Sequence, residues 1–213
     1  MKLVMVGGHT RNIGKTSVVE GIIRALPELN WTAVKITQFG HGICSVNGQS
    51  CGCAVTEHQF AITEEHRKDS GTDTARFLAA GARRSLWVRT KQGELFTALP
   101  SLRKEIEGDP FVIVESNSLR RFLNPTVYLQ VIDPSNPDFK LSAQQFFDLA
   151  DAYLVVTHPG NRDDVQCSTL DVRHSIFNVE RRTSNVERIF PVSAQNQFIS
   201  QPVIEFVKSR LLP

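Results

Sequence analysis

Residues 2–17 read KLVMVGGHTRNIGKTS, and residues 18–29 continue as VVEGIIRALPEL. Residues 2–6 are a short apolar run that stops at Gly7-Gly8, the form expected of a buried central strand. Val18, Val19, Ile22, Ile23, Leu26 and Leu29 recur at spacings of three and four, which marks one face of a helix beginning near Lys15. TAVKIT at residues 32–37 is the next strand. The opening of the chain therefore reads strand, loop, helix, strand.

The loop between the first strand and the helix holds the chemistry. Gly8 to Gly14 followed by Lys15 and Thr16 fits G-x5-G-K-T; His9 stands where the commoner G-x4-G-K-[ST] spacing has its first glycine. A loop of this kind turns successive backbone N–H groups around a phosphate, and the helix N-terminus adds unpaired donors and the positive end of its dipole. Gly8, His9, Thr10, Arg11, Asn12, Ile13, Gly14, Lys15, Thr16 and Ser17 are the expected cradle. Lys15 supplies a point charge to the β and γ phosphates, and Thr16 offers a hydroxyl to a phosphate-bound Mg²⁺.

Outward from this unit the chain alternates. SGTDTARFLAAGA predicts a short helix stopped at Gly81. Residues 85–88 predict a strand, and Leu95, Leu99, Leu102 and Ile106 predict a helix. FVIV at 111–114 is an unbroken apolar strand of the sort covered on both faces, and residues 127–132 and 153–156 repeat the form. DFKLSAQQFFDLADA predicts a helix with Ser142 near its cap and Phe146, Leu149 and Ala150 inward. Residues 189–192 predict a last strand, and Ser200-Gln201-Pro202 opens a terminal helix carrying Ile204, Val207 and Leu211. From about 39 to 68 glycines, cysteines and histidines replace periodicity, so this stretch reads as an inserted lobe. The expected architecture is one α/β domain over residues 1–213, a three-layer fold with about seven mainly parallel strands.

Three further residues belong near the loop. Lys35 lies inside an apolar strand, so its ammonium needs a partner, either a phosphate or substrate or a structural one. Glu115 ends the 111–114 strand, and the carboxyl ends of strands line the crevice of an open α/β sheet. It is a candidate ligand of Mg²⁺ or a group that orients the attacking atom. Asp73 begins a helix and could serve there as a simple capping acid. With Lys15, Lys35 and Glu115 as the catalytic set, chemistry at phosphorus needs positioning and charge neutralisation, not a covalent nucleophile.

GHTRNIGKT is similar to the G-T-D-T-x-V-G-K-T loop of dethiobiotin synthetase, and Val114-Glu115-Ser116 is similar to that family's V-E-G. Over residues 2–115 the chain more broadly resembles the MobB family, molybdopterin-guanine dinucleotide biosynthesis protein B. Asp73, Thr74 and Arg76, followed by Ala80, Gly81 and Ala82, match its D-[ST]-x-R-x-x-x-A-G-A stretch. The resemblance implies that Asp73 and Arg76 lie at the nucleotide site and that Asp73 joins Thr16 and Glu115 around Mg²⁺. FPVSAQN at 190–196 is similar to the last strand and S-A loop of GTPases, which implies base contacts at Ser193 and Ala194 and favours GTP over ATP. No N-K-x-D motif occurs; Asn161, Arg162, Asp163 and Asp164 are the alternatives for the base. The resemblance implies a GTP-binding, weakly hydrolysing accessory protein of molybdenum-cofactor biosynthesis, working with a client or cofactor-biosynthesis enzyme and able to form a homodimer. Two alternatives stand beside it: an ATP-dependent ligase or kinase like dethiobiotin synthetase, and a metallochaperone-type GTPase switch.

Cys44, Cys51, Cys53 and His58 could surround one tetrahedral ion, with His41 as a further candidate, and zinc accepts such a set. This thiol-rich stretch departs from the MobB pattern, and solvent-exposed thiols are the alternative. Cys167 is remote in sequence. The composition is that of an ordinary globular chain: 213 residues, 41% hydrophobic, 22% charged and a formal charge of +2. Without a basic tract, nucleic acid is not an expected partner; Arg83-Arg84, Arg120-Arg121 and Arg181-Arg182 read as solvated helix ends. Neither an apolar leader nor a run of the ~18 residues needed to span a membrane is present, so no membrane is expected and the expected compartment is the cytoplasm.

Overall fold

The computed structural model describes residues 1–39, 60–158, 188–193 and 199–212. Among the described residues eight strands form one sheet in the order β3-β4-β2-β5-β1-β6-β7-β8. They are β1 (Lys2–Gly8), β2 (Thr32–Phe39), β3 (Phe60–Glu64), β4 (Arg84–Lys91), β5 (Phe111–Glu115), β6 (Val127–Ile132), β7 (Ala152–Thr157) and β8 (Ile189–Ser193). All neighbours pair in parallel except β3, which runs antiparallel to β4 at the edge. The α/β class is as expected from the sequence, with one strand more than the seven expected. That strand, FAITE, lies within the stretch read as irregular; two aliphatic positions in five give too weak an alternation to announce an edge strand.

Among the described residues the helices are α1 (Lys15–Ala25), α2 (Asp73–Ala80), α3 (Leu95–Ile106), α4 (Leu141–Gln144) and α5 (Gln201–Leu211). Strand alternation divides the core between the two faces of the sheet. Val4 and Val6 of β1, Ile113 of β5 and Val127, Leu129 and Val131 of β6 point to one face, where α1, α2 and α5 bury Val18, Val19, Ile22, Ile23, Phe77, Phe206 and Val207. Leu3, Met5, Val112, Val114 and Tyr128 point to the other, against Leu95, Ala98, Leu102 and Ile106 of α3. Among the described residues no helix is long and apolar enough to cross a membrane.

Two sequence expectations are corrected. The helix expected over DFKLSAQQFFDLADA is four residues of α4 followed by a 3₁₀ turn at Phe147–Leu149. The break resets the helical phase, so Phe146 and Phe147 are buried while Leu149 is 49% exposed. The pair Arg83-Arg84 is not a solvated helix end either. Arg84 enters β4 and pairs with Glu64 at 2.9 Å and Glu105 at 3.2 Å, while Arg83 pairs with the buried Asp109, so the doublet staples three elements together. Arg181-Arg182 lies outside the described residues.

Candidate functional site

Period-two alternation decides which charged side chains can meet. Lys35 shares the face of Ala33 in β2, and Glu115 shares that of Ile113 in β5; both therefore point toward α1 and α2. The two strands are adjacent with Lys35 opposite Glu115 in register. The Lys35 Nζ lies 2.6 Å from Glu115 Oε1 and 2.7 Å from Asp73 Oδ2, so one ammonium bridges two carboxylates. Burial works against this ammonium, yet Glu115 and then Asp73 outweigh it and raise the Lys35 pKa. Lys35 thus has the partner that a lysine within an apolar strand requires.

Asp73 is held there from its own side. Thr72 is the N-cap of α2, its hydroxyl accepting the Ala75 N–H at 3.1 Å and donating to Glu65 Oε2 at 2.9 Å. The cap is Thr72, and Asp73 sits in the first turn, free to face Lys35. The Glu65 carboxylate also accepts the backbone N–H of Arg67, the main influence holding its pKa down to about 2. Arg76 turns toward α1, bonding Glu20 at 2.6 Å and Ser17 Oγ at 3.2 Å. It acts as a strut between the two helices at the rim of the site.

The loop at residues 8–17 closes over the ends of β1 and β5. Gly14 has φ 90° and Asn12 φ 55°, both left-handed, and these turn the chain back into α1. A Cβ on Gly8 would meet the side chains of Ile13 at 2.7 Å and Lys15 at 2.9 Å, so a larger residue there would have to displace the Ile13 tip and the Lys15 side chain. Thr16 Oγ1 donates to Glu115 Oε2 at 2.8 Å. Lys15 Nζ donates to Thr10 O at 2.7 Å within its own loop. Burial drives the Lys15 ammonium down to about 8; nearby Lys35 and Arg11 push the same way, and Glu115 and Asp73 oppose.

His9 does not face the loop's hollow. Its ring is 1% exposed, its Nε2 lies 3.1 Å from the Asn136 carbonyl, its Nδ1 accepts the Asp133 N–H at 3.3 Å, and it packs on Phe139. Burial lowers its pKa. Thr10 likewise donates to Asp138, and the Lys140 N–H donates to His9 O at 2.9 Å. The first half of the loop is therefore clamped by segment 133–140. Asn117 adds a second fastening, exchanging two amide bonds of 2.8 Å with the backbone of Gly8. Neither Asn117 nor segment 133–140 was marked by any sequence pattern; the signal that could have found Asn117 is its place two residues beyond Glu115.

A cavity of about 1100 Å³ opens above these groups. Arg11, Asn12, Ile13, Gly14, Lys15, Thr16 and Ser17 line it, with Lys35, Asp73, Arg76 and Glu115. The fit to Mg²⁺ rests on the donor set: one hydroxyl and two carboxylates, all hard oxygens, two of them already in contact. Among the described residues no three His, Cys, Asp or Glu side chains form a metal centre of their own. Ser193 ends β8 paired with Thr157; Val156 and His158, on either side of Thr157, line the cavity, and Ser193 is not among its lining residues. Ala194, Asn161, Arg162, Asp163 and Asp164, with His41, Cys44, Cys51, Cys53, His58 and Cys167, lie outside the described residues.

Strand, glycine loop, Lys15-Thr16 at a helix start and an acid ending a neighbouring strand define the class: the chain has the fold of the P-loop NTPases. No family model matches the sequence, and no curated protein does. The fold is similar to that of HypB from Helicobacter pylori in complex with nickel, at 14% identity over 98% of this chain and 86% of that one, with a TM-score of 0.53. It is similar also to the hydrogenase maturation factor HypB from Archaeoglobus fulgidus, at 12% identity over 99% and 91%, with a TM-score of 0.51. MobB from Bacillus subtilis aligns at 16% identity over 100% and 99%, with a TM-score of 0.42.

Proposed function

We infer that this chain binds a nucleoside triphosphate with Mg²⁺ on the loop at residues 8–17 and hydrolyses it slowly, as an accessory protein and not a high-turnover catalyst. The observation that carries this reading is the convergence of Lys15, Thr16, Lys35, Asp73 and Glu115 at one mouth of the sheet. Lys15 would meet the β and γ phosphates, and Thr16, Glu115 and Asp73 would hold Mg²⁺, which supplies charge neutralisation on the transferring phosphoryl group. The chain's own residues orient and screen: Lys35 bridges the two carboxylates, and Arg76 fixes α2, which carries Asp73. Both carboxylates are engaged by Lys35, and neither is left as a free base for water, in keeping with slow turnover.

Within this reading the finer function is an accessory GTPase resembling MobB in molybdenum-cofactor biosynthesis, supported by the resemblance over residues 2–115 and the sequence pattern at 73–82. A metallochaperone-type switch is the second reading, supported by the thiol-rich stretch at 44–53 and by the shared fold of HypB, which has been solved with nickel. Phosphate release from GTP and from ATP, measured with Mg²⁺ and without any organic acceptor, tests both. Slow turnover that prefers GTP is expected. Turnover that appears only with ATP and a carboxylic acid would turn the reading toward a ligase. Thr16→Ala is expected to weaken the Mg²⁺-dependent part of binding roughly tenfold or more, at least what loss of an indirect metal contact does. An unchanged Mg²⁺ dependence would remove Thr16 from the metal site. The Cys44, Cys51, Cys53 and His58 set is proposed to hold about one zinc per chain. Elemental analysis of protein purified without a metal affinity step should find it, and find it lost in a Cys51→Ser/Cys53→Ser variant.

A further inference from the structure

Six cations line the cavity: Arg11, Lys15, Lys35, Arg76, Arg121 and Lys140; of these Arg76 pairs with Glu20, and Arg121 donates to Gln145 at 2.7 Å. Lys35 is neutralised by Glu115 and Asp73. The other three make no ion pair among the described residues, and the Lys15 ammonium has only the Thr10 carbonyl. Lys140 comes from the end of the segment that follows β6, while Lys15 comes from the start of α1, so two separate segments bring their lysines to one cavity. Its position is built in. Its backbone N–H is bonded to His9 O at 2.9 Å, the Asn136 carbonyl lies against His9, and the nearest acid, Asp138, is already occupied by Thr10. Burial drives the Lys140 ammonium down to about 8, helped by Lys15 and Arg11. Like charges brought together at the wall of a partly enclosed cavity repel one another, and an anion seated among them relieves that repulsion.

We propose that Lys140 is a second phosphate-contacting lysine, which joins Lys15 at the terminal phosphate of a bound triphosphate and so favours triphosphate over diphosphate. His9 is its positioning residue. The side chain standing in place of the commonest glycine anchors segment 133–140 and sets the distance from Lys140 to the loop. The inference rests on the nucleotide reading above and adds a residue to it.

The test is the affinity of a fluorescent, non-hydrolysable nucleoside triphosphate and of the matching diphosphate, both with Mg²⁺, for the full chain and its variants. Loss of one charge-assisted hydrogen bond predicts that Lys140→Ala weakens triphosphate binding about 10- to 100-fold. Diphosphate binding should change less than about threefold, and Lys140→Arg should keep most of the triphosphate affinity. His9→Gly should lower triphosphate affinity too, and Lys140→Ala added to it should cost much less than it does alone, since coupled residues are non-additive. Triphosphate affinity unchanged in Lys140→Ala would overturn the proposal, as would equal losses for both nucleotides. Lys15→Ala measured alongside separates the two failures. If it abolishes binding while Lys140→Ala does not, only Lys140's role falls; if it too binds normally, the nucleotide reading falls with it.

Discussion

Lys15→Ala is expected to abolish useful triphosphate binding while leaving the empty protein as stable as before, or more so. Lys15 lines the cavity with its ammonium desolvated, alongside Arg11 and Lys140, and among the described residues it bonds only to a carbonyl of its own loop. Removing a charged partner from a buried, hydrogen-bonded contact costs about 2–5 kcal/mol, so affinity should fall roughly 30-fold to several thousandfold. The folded protein, by contrast, loses a group whose pKa has been lowered to about 8 from an ordinary value near 10.5. A lysine depressed in the folded state opposes folding fully below about pH 8, and the opposition fades as pH rises to the unfolded value. The variant's thermal midpoint at pH 7 should therefore match or exceed the parent's, with the difference shrinking toward pH 10. Thermal unfolding at the two pH values, run beside a binding titration, checks both halves. A variant several degrees less stable at pH 7 would show that Lys15 supports the fold instead of waiting for an anion.

Lys35→Met should do the opposite. Glu115 is 4% exposed and relies on Lys35, at 2.6 Å, as its cation. Breaking a buried pair from one side costs about 3–5 kcal/mol because the remaining charge is stranded. For a domain of this size that is a fall of roughly 6–20 °C in Tm. Neutralising the stranded acid as well, with Lys35→Met/Glu115→Gln, should return most of the loss, because paired removal of a buried ion pair is often nearly neutral. Asp73 is half-exposed and can turn to water, so it needs no such rescue. Calorimetry on the single and double variants decides the matter; a single variant within about 1 kcal/mol of the parent would mean that Lys35 is not Glu115's counter-ion.

These two lysines show what was legible in the chain. Lys15 was marked by local pattern alone, since strand, glycines and helix are contiguous. Lys35 and Glu115 were marked by their places in apolar strands, and period two then sends both side chains to the α1 face. What joins them is the adjacency of β2 and β5 in the sheet, a crossover that residue order does not disclose. Asp73 was read as a cap or a site residue; the structure gives the cap to Thr72 and leaves Asp73 to Lys35. His9 was read as a residue in a glycine's slot. Its partner Asn136 lies 127 residues away in a segment of Pro, Asn and Asp that reads only as a turn. Lys140 falls inside the helix expected over 138–152 and carries no site signal, because a single lysine near a helix start looks like any surface lysine until its neighbours are known. The broken helix at 141–149 was illegible for a related reason: its apolar residues fit a helical period, and the break comes from tertiary packing of Phe146 and Phe147 against Tyr153 and the sheet.

The central claim is that the loop at residues 8–17 is a triphosphate site completed by Mg²⁺. It is tested most directly by calorimetric titration of the purified chain with GTP and with ATP, each in the presence and absence of Mg²⁺. The geometry predicts one site per chain, tightened by Mg²⁺ and weaker for the diphosphate than for the triphosphate. Absence of binding for both nucleotides at millimolar concentration, with Mg²⁺ present and the protein folded, would contradict it.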